Sequence, residues 1–266
     1  MRNTQATKTG LRHMESRRDR IKSISTLLDI VESLHEEDGA RITELSAHLD
    51  LSKSTVHRHL HSLRDRGYVI QQDEKYYLSL KFLELGTYVQ TRRDEFQEAR
   101  PIVKELAETT GERVQFHVEE RGFMVCIHRV NGERAVISRS GAGKHGLMHA
   151  TASGKAVLSK LSDEEVRKLL LGSGQSLEAV TENTITDIDV FLKELEQVRK
   201  MGYRLNDEET YPGLRAIGVS VTHSEKGVVG ALTISAPANR LKGDNLDEYV
   251  RTLQGAANEL QLNIEY

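Results

Sequence analysis

The chain has 266 residues, of which 38% are hydrophobic and 29% charged, with only 3 prolines and no tryptophan; this suits a helix-rich globular protein long enough for two domains and excludes collagenous, low-complexity and disordered classes. A net charge of −3 gives no overall preference for nucleic acid, so a nucleic-acid partner has to be sought in local charge. No apolar run reaches the ~20 residues of a membrane span, the N-terminus lacks an apolar secretory stretch, and the single cysteine, Cys126, excludes an intrachain disulfide and any cysteine-based zinc motif, so a reducing cytoplasmic setting without membrane attachment is expected.

Residues 1–20 form a basic arm carrying Arg12, Arg17, Arg18 and Arg20, with Lys22 just beyond it. From Ile21, the apolar residues Ile24, Leu28, Val31 and Leu34 recur at three and four, which predicts a first helix ending before Gly39. A short second helix is expected over Thr43–Leu49 with Thr43 as its cap, then a tight turn at Asp50-Leu51, then a third helix capped by Ser52. That third helix, Lys53 to Arg66, buries Val56, Leu60 and Leu63, which leaves Lys53, Ser54, Thr55, His57, Arg58 and His61 on other faces.

A short helix, a tight turn and a polar-faced helix describe a helix-turn-helix. Two β-rich runs, Tyr68–Ile70 and Tyr76–Leu78, flank the polar turn Gln71–Lys75 and would make a wing, so 21–80 reads as a winged helix-turn-helix. Such a helix offers donors to base edges in the major groove of double-stranded DNA while Arg and Lys neutralise phosphates. Winged helices also serve as protein-binding adaptors, and His57 and His61, one turn apart, have no carboxylate or thiolate beside them in sequence to complete a metal site.

Residues 81–100 read as a helical linker and 101–266 as a second domain. Helical spacing persists from Leu80 to Thr109, Pro101 is expected to break or restart the helix, and Gly111 suits its C-cap. Strands are expected at Arg113–Glu119, Phe123–Val130, Ala135–Arg139, Ala216–Thr222 and Val228–Ser235. Helices are expected at Thr151–Leu161, at Asp163–Leu171 behind the capping box Ser162–Glu165, from Thr186 and Asp189 to Gly202, and at Leu246–Leu262. That order is α+β with an antiparallel sheet.

Within it, the turn into the helix at Thr151-Ala152 offers backbone N–H groups and a positive dipole end to a small anion, and Thr233 and Ser235 share one strand face as hydroxyl donors. They are equally explained as core hydroxyls bonded to backbone. Gly141, Gly143 and Gly146 satisfy G-x-G-x-x-G without a βαβ unit around them, so a loop is expected there and no dinucleotide or other cofactor. His117, Cys126 and His128 could meet on neighbouring strands as zinc ligands, although buried sheet residues explain them more simply and no metal is assigned. No G-x-S-x-G, H-E-x-x-H or Walker sequence is present, which argues against an enzyme.

The segment TELSAHLDLSKSTVHRHLHSLRDRGYV, with KYYLSLKFLELG after it, resembles the IclR family of transcription regulators. The match includes Thr55-Val56-His57-Arg58 and Gly67-Tyr68, and continues in Leu147–Ala156, in Gly202-Tyr203 through Asp207-Glu208-Glu209 to Gly213–Ala216, and in Ile234–Pro237 with Arg240. The resemblance implies an operator-binding regulator with a GAF-like sensing domain, working as a homodimer or dimer of dimers on DNA of dyad symmetry. It also implies a pocket for a small-molecule effector, an organic acid by preference, that uses Asn206 and Ala216 besides the residues above. Some relatives carry an acid and a cysteine at those two positions, so the effector's identity does not follow.

Overall fold

The computed structural model describes residues 21–136, 141–172 and 176–266, which divide between Arg92 and Arg93 into two compact units. The basic arm expected over 1–20 lies outside the described residues.

The first unit holds α1 (Lys22–Glu36), α2 (Ile42–His48), α3 (Lys53–Asp65), the hairpin β1 (Val69–Gln72) and β2 (Lys75–Leu78), and α4 (Lys81–Thr91). Ile30, Leu34, Leu45, Val56, Leu60, Leu63, Val69 and Tyr76 form its core. Of the stripe expected on α1, Leu34 is buried and Val31 packs on the core, but Ile24 and Leu28 stand exposed and Ile30 and Ser33 are buried in their place. Both sets fit the same three-and-four spacing, and the packing on α3 and β2 decides between them.

Helix α2 begins one residue before Thr43: the Arg41 N–H donates to the Glu44 carboxylate at 2.7 Å, so Thr43 is not the cap. Ser52 caps α3, its hydroxyl accepting from the Thr55 N–H at 3.2 Å. The wing turns at Asp73-Glu74, with Asp73 at φ +53°, and is therefore longer in strand and tighter in turn than expected.

The second unit begins with α5 (Asp94–Thr110), which runs through Pro101; the break expected at that proline falls instead at Arg92-Arg93. The linker expected over 81–100 is thus divided: α4 has no buried residue, whereas Phe96 and Ala99 of α5 sit in the core of the second unit. Gly111 closes α5 in the left-handed conformation, as expected.

A six-stranded antiparallel sheet follows, in the order β5-β4-β3-β8-β7-β6. Its strands are β3 (Arg113–Glu120), β4 (Phe123–Asn131), β5 (His145–Leu147), β6 (Arg204–Asp207), β7 (Leu214–His223) and β8 (Gly227–Pro237). Helices α6 (Ala152–Leu158), α7 (Asp163–Leu171) and α8 (Ile188–Met201) lie between β5 and β6, and α9 (Asp244–Glu265) ends the chain. Asp187 caps α8 by accepting from the Asp189 and Val190 N–H groups at 2.9 Å each, a role the sequence reading gave to Thr186.

Strands β5 and β6 escaped the sequence reading, being three and four residues long; Ala135 and Val136 are not in a strand, and 137–140 lie outside the described residues. Strand alternation splits the sheet into two faces. Val114, Phe116, Ile217, Val219, Leu232 and Ile234 pack with α5 and α9, and Met124 and Ala231 with α6, α7 and α8.

Candidate DNA-binding surface and effector site

The face of α3 opposite its core residues carries Lys53, Ser54, His57, Arg58 and His61, all exposed, with Thr55 half-buried at the helix start. Ser52 gathers Ser54 and Thr55 by hydroxyl contacts of 2.9 and 2.8 Å, which fixes the first turn. Lys53, His57 and Arg58 make no side-chain hydrogen bond or ion pair among the described residues, whereas the His61 ring lies 2.9 Å from the Asp65 carboxylate. The expected residues are therefore brought together on one face, with His61 partly engaged within the helix.

One contributor went unread in the sequence. Arg64 donates to Gln71 of the wing at 3.0 Å, and Gln71 donates to the Asp73 carbonyl at 2.9 Å, so α3 and the hairpin are cross-linked. A side-chain bond between elements seven residues apart leaves no periodic signal.

The second site lies on the sheet face that meets α6. Register places its residues in rows across the strands. The first runs Asn131, Arg113, Ser235, Ala216, Asn206; the second Arg129, Gln115, Thr233, Gly218, Arg204; the third Cys126, His117, Ala231, Ser220. Asn206, Ala216, Thr233 and Ser235 are thus neighbours, as expected of a pocket, and Thr151-Ala152 reach them from above. A Cβ on Gly218 would come within 2.5 Å of the Ala152 carbonyl oxygen, so the start of α6 rests directly on β7.

This closeness alters the expected roles. Thr151 spends its hydroxyl capping α6, accepting from the Gly154 N–H at 3.1 Å and donating to the Leu147 carbonyl at 3.0 Å. Asn206 is buried with both ends used: its amide donates to the Ala150 carbonyl and its oxygen accepts from the Glu209 N–H at 3.2 Å. Helix α6 has only seven residues, so its dipole is weak. Through these bonds the Thr151 and Asn206 side chains hold the entrance to α6 in place. Thr233 differs. It is 3% exposed and its hydroxyl is buried without a partner among the described residues. The polar groups beside it on β3 and β4, Arg113, Gln115 and Arg129, were missed, although their alternation with Val114, Phe116 and Val130 is legible in the sequence.

The zinc grouping does not assemble. A bulge at Phe116/His117 pairs His117 with Cys126 but Phe116 with His128, and His128 turns to α5, where its Nε2 meets the Phe96 carbonyl at 2.5 Å. Burial lowers the pKa of His117 to about 4, with Arg129 adding to the effect, and burial pushes the Cys126 thiol up. No helix opens at the end of the glycine pattern, because Gly146 lies inside β5. Among the described residues no helix is long and apolar enough to cross a membrane.

Behind α6 lies an ion cluster that the sequence reading did not find. Lys155, fully buried, bonds Glu194 at 2.6 Å and also Glu209, and Arg204 bonds the same two carboxylates at 2.7 and 3.4 Å. Burial raises the Glu209 pKa against the pull of Lys155.

Residues 23–73 match the model of the IclR helix-turn-helix domain and residues 87–262 that of the bacterial transcriptional regulator IclR C-terminal domain. The chain is 33% identical over 255 residues to the HTH-type transcriptional regulator KdgR of Escherichia coli, covering 95% of this chain and 96% of that one. The crystal structure of the Thermotoga maritima IclR superposes with a TM-score of 0.77 at 27% identity, over 92% of this chain and 98% of that one. An IclR homologue from Microbacterium hydrocarbonoxydans, crystallised with 4-hydroxybenzoate, has the same fold with a TM-score of 0.78 at 20% identity, over 91% and 98% of the two chains.

Proposed function

Because this chain belongs to the IclR family of transcriptional regulators, a DNA-binding family, we propose that it binds an operator through α3 and that a small-molecule effector on the α6 face of its sheet modulates that binding. The observation that carries the DNA contact is the exposed face of α3. There Lys53, His57 and Arg58 form no side-chain hydrogen bond or ion pair among the described residues and Ser54 and Thr55 are fixed at the helix start, an arrangement fitted to phosphates and base edges. Thr233, buried without a partner among the described residues, supports a ligand on the sheet face, and the relative crystallised with 4-hydroxybenzoate makes an organic acid the first class to try.

The working unit is a homodimer or a dimer of dimers on an operator of dyad symmetry. Ile24 and Leu28 of α1 and Leu83, Tyr88 and Val89 of α4 are apolar and exposed, which suits burial against a second copy, and one recognition helix reads few base pairs alone. Effector binding would then act by favouring one arrangement of the paired recognition helices.

Fluorescence anisotropy on DNA from upstream of the chain's own gene, with a salt titration and a panel of organic acids, tests both parts. Binding that weakens steeply with salt and shifts with one acid is the expected result. Operator-like binding unchanged by every acid would remove the effector part, and affinity no greater than for random DNA across the gene's surroundings would remove the operator part.

A further inference from the structure

Helix α3 closes with the Gly67 N–H donating to the Arg64 carbonyl at 2.9 Å and the Tyr68 N–H to the Leu63 carbonyl at 2.8 Å, Gly67 taking a φ of +77° that favours glycine. This ending occupies the carbonyls of Leu63 and Arg64 and leaves those of Arg66, Gly67 and Tyr68 to find donors elsewhere.

All three accept from the segment that opens α4. The Lys81 ammonium donates to the Arg66 carbonyl at 3.1 Å, the Ser79 hydroxyl to the Gly67 carbonyl, and the Ser79 N–H to the Tyr68 carbonyl at 3.0 Å. The Ser79 hydroxyl also accepts from the Lys81 N–H at 3.2 Å, so one oxygen joins the end of α3 to the first turn of α4. Ring contacts repeat the connection: the Lys81 ammonium stands 4.6 Å from the centre of the Tyr68 ring, and Phe82 meets that ring edge-on with centroids 5.5 Å apart. A cation beside the last carbonyls of α3 also suits its dipole.

Helix α4 itself buries no residue, and Leu83, Tyr88 and Val89 are exposed. Its direction relative to α3 is therefore set at its base, where Ser79, Lys81 and Phe82 grip Arg66, Gly67 and Tyr68.

We propose that Ser79 and Lys81 are positioning residues for operator reading: they join α3 and α4 into one lever, so that the way α4 is held in the paired regulator fixes the direction of each recognition helix and, with it, the half-site spacing the pair accepts. The inference rests on the operator reading above and adds to it residues whose effect does not depend on touching DNA. Two recognition helices held rigidly engage both half-sites at one separation along and around the duplex, whereas helices held loosely reach several.

The test compares the full wild-type chain with Ser79→Ala, Lys81→Gln and the double variant by fluorescence anisotropy. The probes are the upstream duplex that wild type protects from cleavage and the same duplex with two base pairs inserted at its dyad. Wild type should lose about a hundredfold in affinity on the insertion, because simultaneous engagement of both half-sites is lost, and the double variant about tenfold or less. Lys81→Gln also removes a charge, but a lost phosphate contact lowers affinity at every spacing alike, so the ratio between the two duplexes is the readout. Lys81→Arg, which can still donate to the Arg66 carbonyl and lie over Tyr68, should restore the wild-type ratio. An insertion penalty in the double variant as large as in wild type would overturn the proposal while operator binding stands.

Spin labels on Ser62→Cys of α3 and Thr87→Cys of α4, both exposed positions, read the clamp without DNA when labelled chains are diluted with unlabelled protein. A narrow distance distribution that broadens in the double variant is expected; a broad one in the otherwise wild-type chain, or an unchanged one in the variant, would overturn the proposal. Thermal melting shows which variants are folded, and Ser79→Ala alone carries both measurements if the double variant is not. If wild type prefers no upstream duplex over random DNA, the operator reading fails and the spacing role fails with it, whatever the label distances show.

Discussion

Replacing Lys155 by Met tests the ion cluster behind α6 most directly. The methionine keeps most of the aliphatic stem but removes the fully buried charge that bonds Glu194 at 2.6 Å and also reaches Glu209. Removing one partner of a buried ion pair costs about 3–5 kcal/mol, because the remaining charge stays buried. Here Arg204 still contacts both carboxylates, at 2.7 and 3.4 Å, so the lower end, about 3 kcal/mol, is expected. For a unit of this size that lowers the melting temperature by roughly 6–12 °C.

The same variant should carry a pH signature. Burial already holds the Glu209 carboxyl above its ordinary range, and Lys155 is the strongest opposing influence. Without the lysine the folded chain keeps a proton on Glu209 at a pH where the unfolded chain has lost it, so stability falls as pH rises above the ordinary carboxylate range. Urea unfolding followed by circular dichroism at pH 5.5 and 8 should therefore show the larger deficit at pH 8. A deficit below about 1 kcal/mol, or one equal at the two pH values, would refute the view that the lysine neutralises buried carboxylates.

Three further outcomes are expected. Arg58→Ala should weaken operator binding about tenfold and leave thermal stability within about 0.5 kcal/mol of wild type, read by anisotropy and melting, since the side chain is exposed and makes no hydrogen bond or ion pair among the described residues. His117, with its folded pKa near 4 against 6.5, binds its proton more readily in the unfolded chain, so its stabilising effect is complete above about pH 6.5 and declines as pH falls toward 4. Between pH 7 and 5 this amounts to about 2 kcal/mol at most. Unfolding curves of His117→Gln should lose that part of the slope and keep the part from His128 and His149, whose pKa values burial also lowers. Gly218→Ala would push a methyl to 2.5 Å from the Ala152 carbonyl oxygen, so a loss of about 2 kcal/mol is expected, and an unchanged melting temperature would mean that α6 yields freely there.

Much of this was legible in the residues because it depends on local chemistry. The run Val56, Leu60, Leu63 set the buried side of α3, Ser52 capped it, and the opposite face followed by subtraction. The capping box at Ser162 and Glu165 placed the start of α7, and Gly111 and Gly202 placed the ends of α5 and α8. What depends on tertiary pairing was not legible. Ile24 and Leu28 share the spacing of the true buried stripe of α1, and only the packing of α1 on its neighbours separates the two.

The candidate effector site was half readable. Thr233 and Ser235 were found from strand alternation, but Arg113, Gln115 and Arg129 follow the same rule on β3 and β4 and gain meaning only when register sets them beside Thr233. His128 was misplaced by a bulge, which shifts alternation by one residue and has no reliable mark in sequence. Lys155 lies within the stretch Leu147–Ala156, but its role is not legible there because its two carboxylates lie 39 and 54 residues away along the chain.

The two-faced sheet of the second unit has a consequence for how such a chain can change. Residues that hold the unit together, such as Phe116, Ile217 and Leu232, point to α5 and α9, whereas Gln115, Ala216 and Thr233 point the other way from adjacent positions in the same strands. A single-codon change at one of the latter alters one contact point in a grid whose spacing the backbone fixes, and leaves the apolar packing behind it untouched. Substitution on that face can thus proceed point by point across the grid without disturbing the packing on α5 and α9, wherever α6 does not rest on it as it does at Gly218.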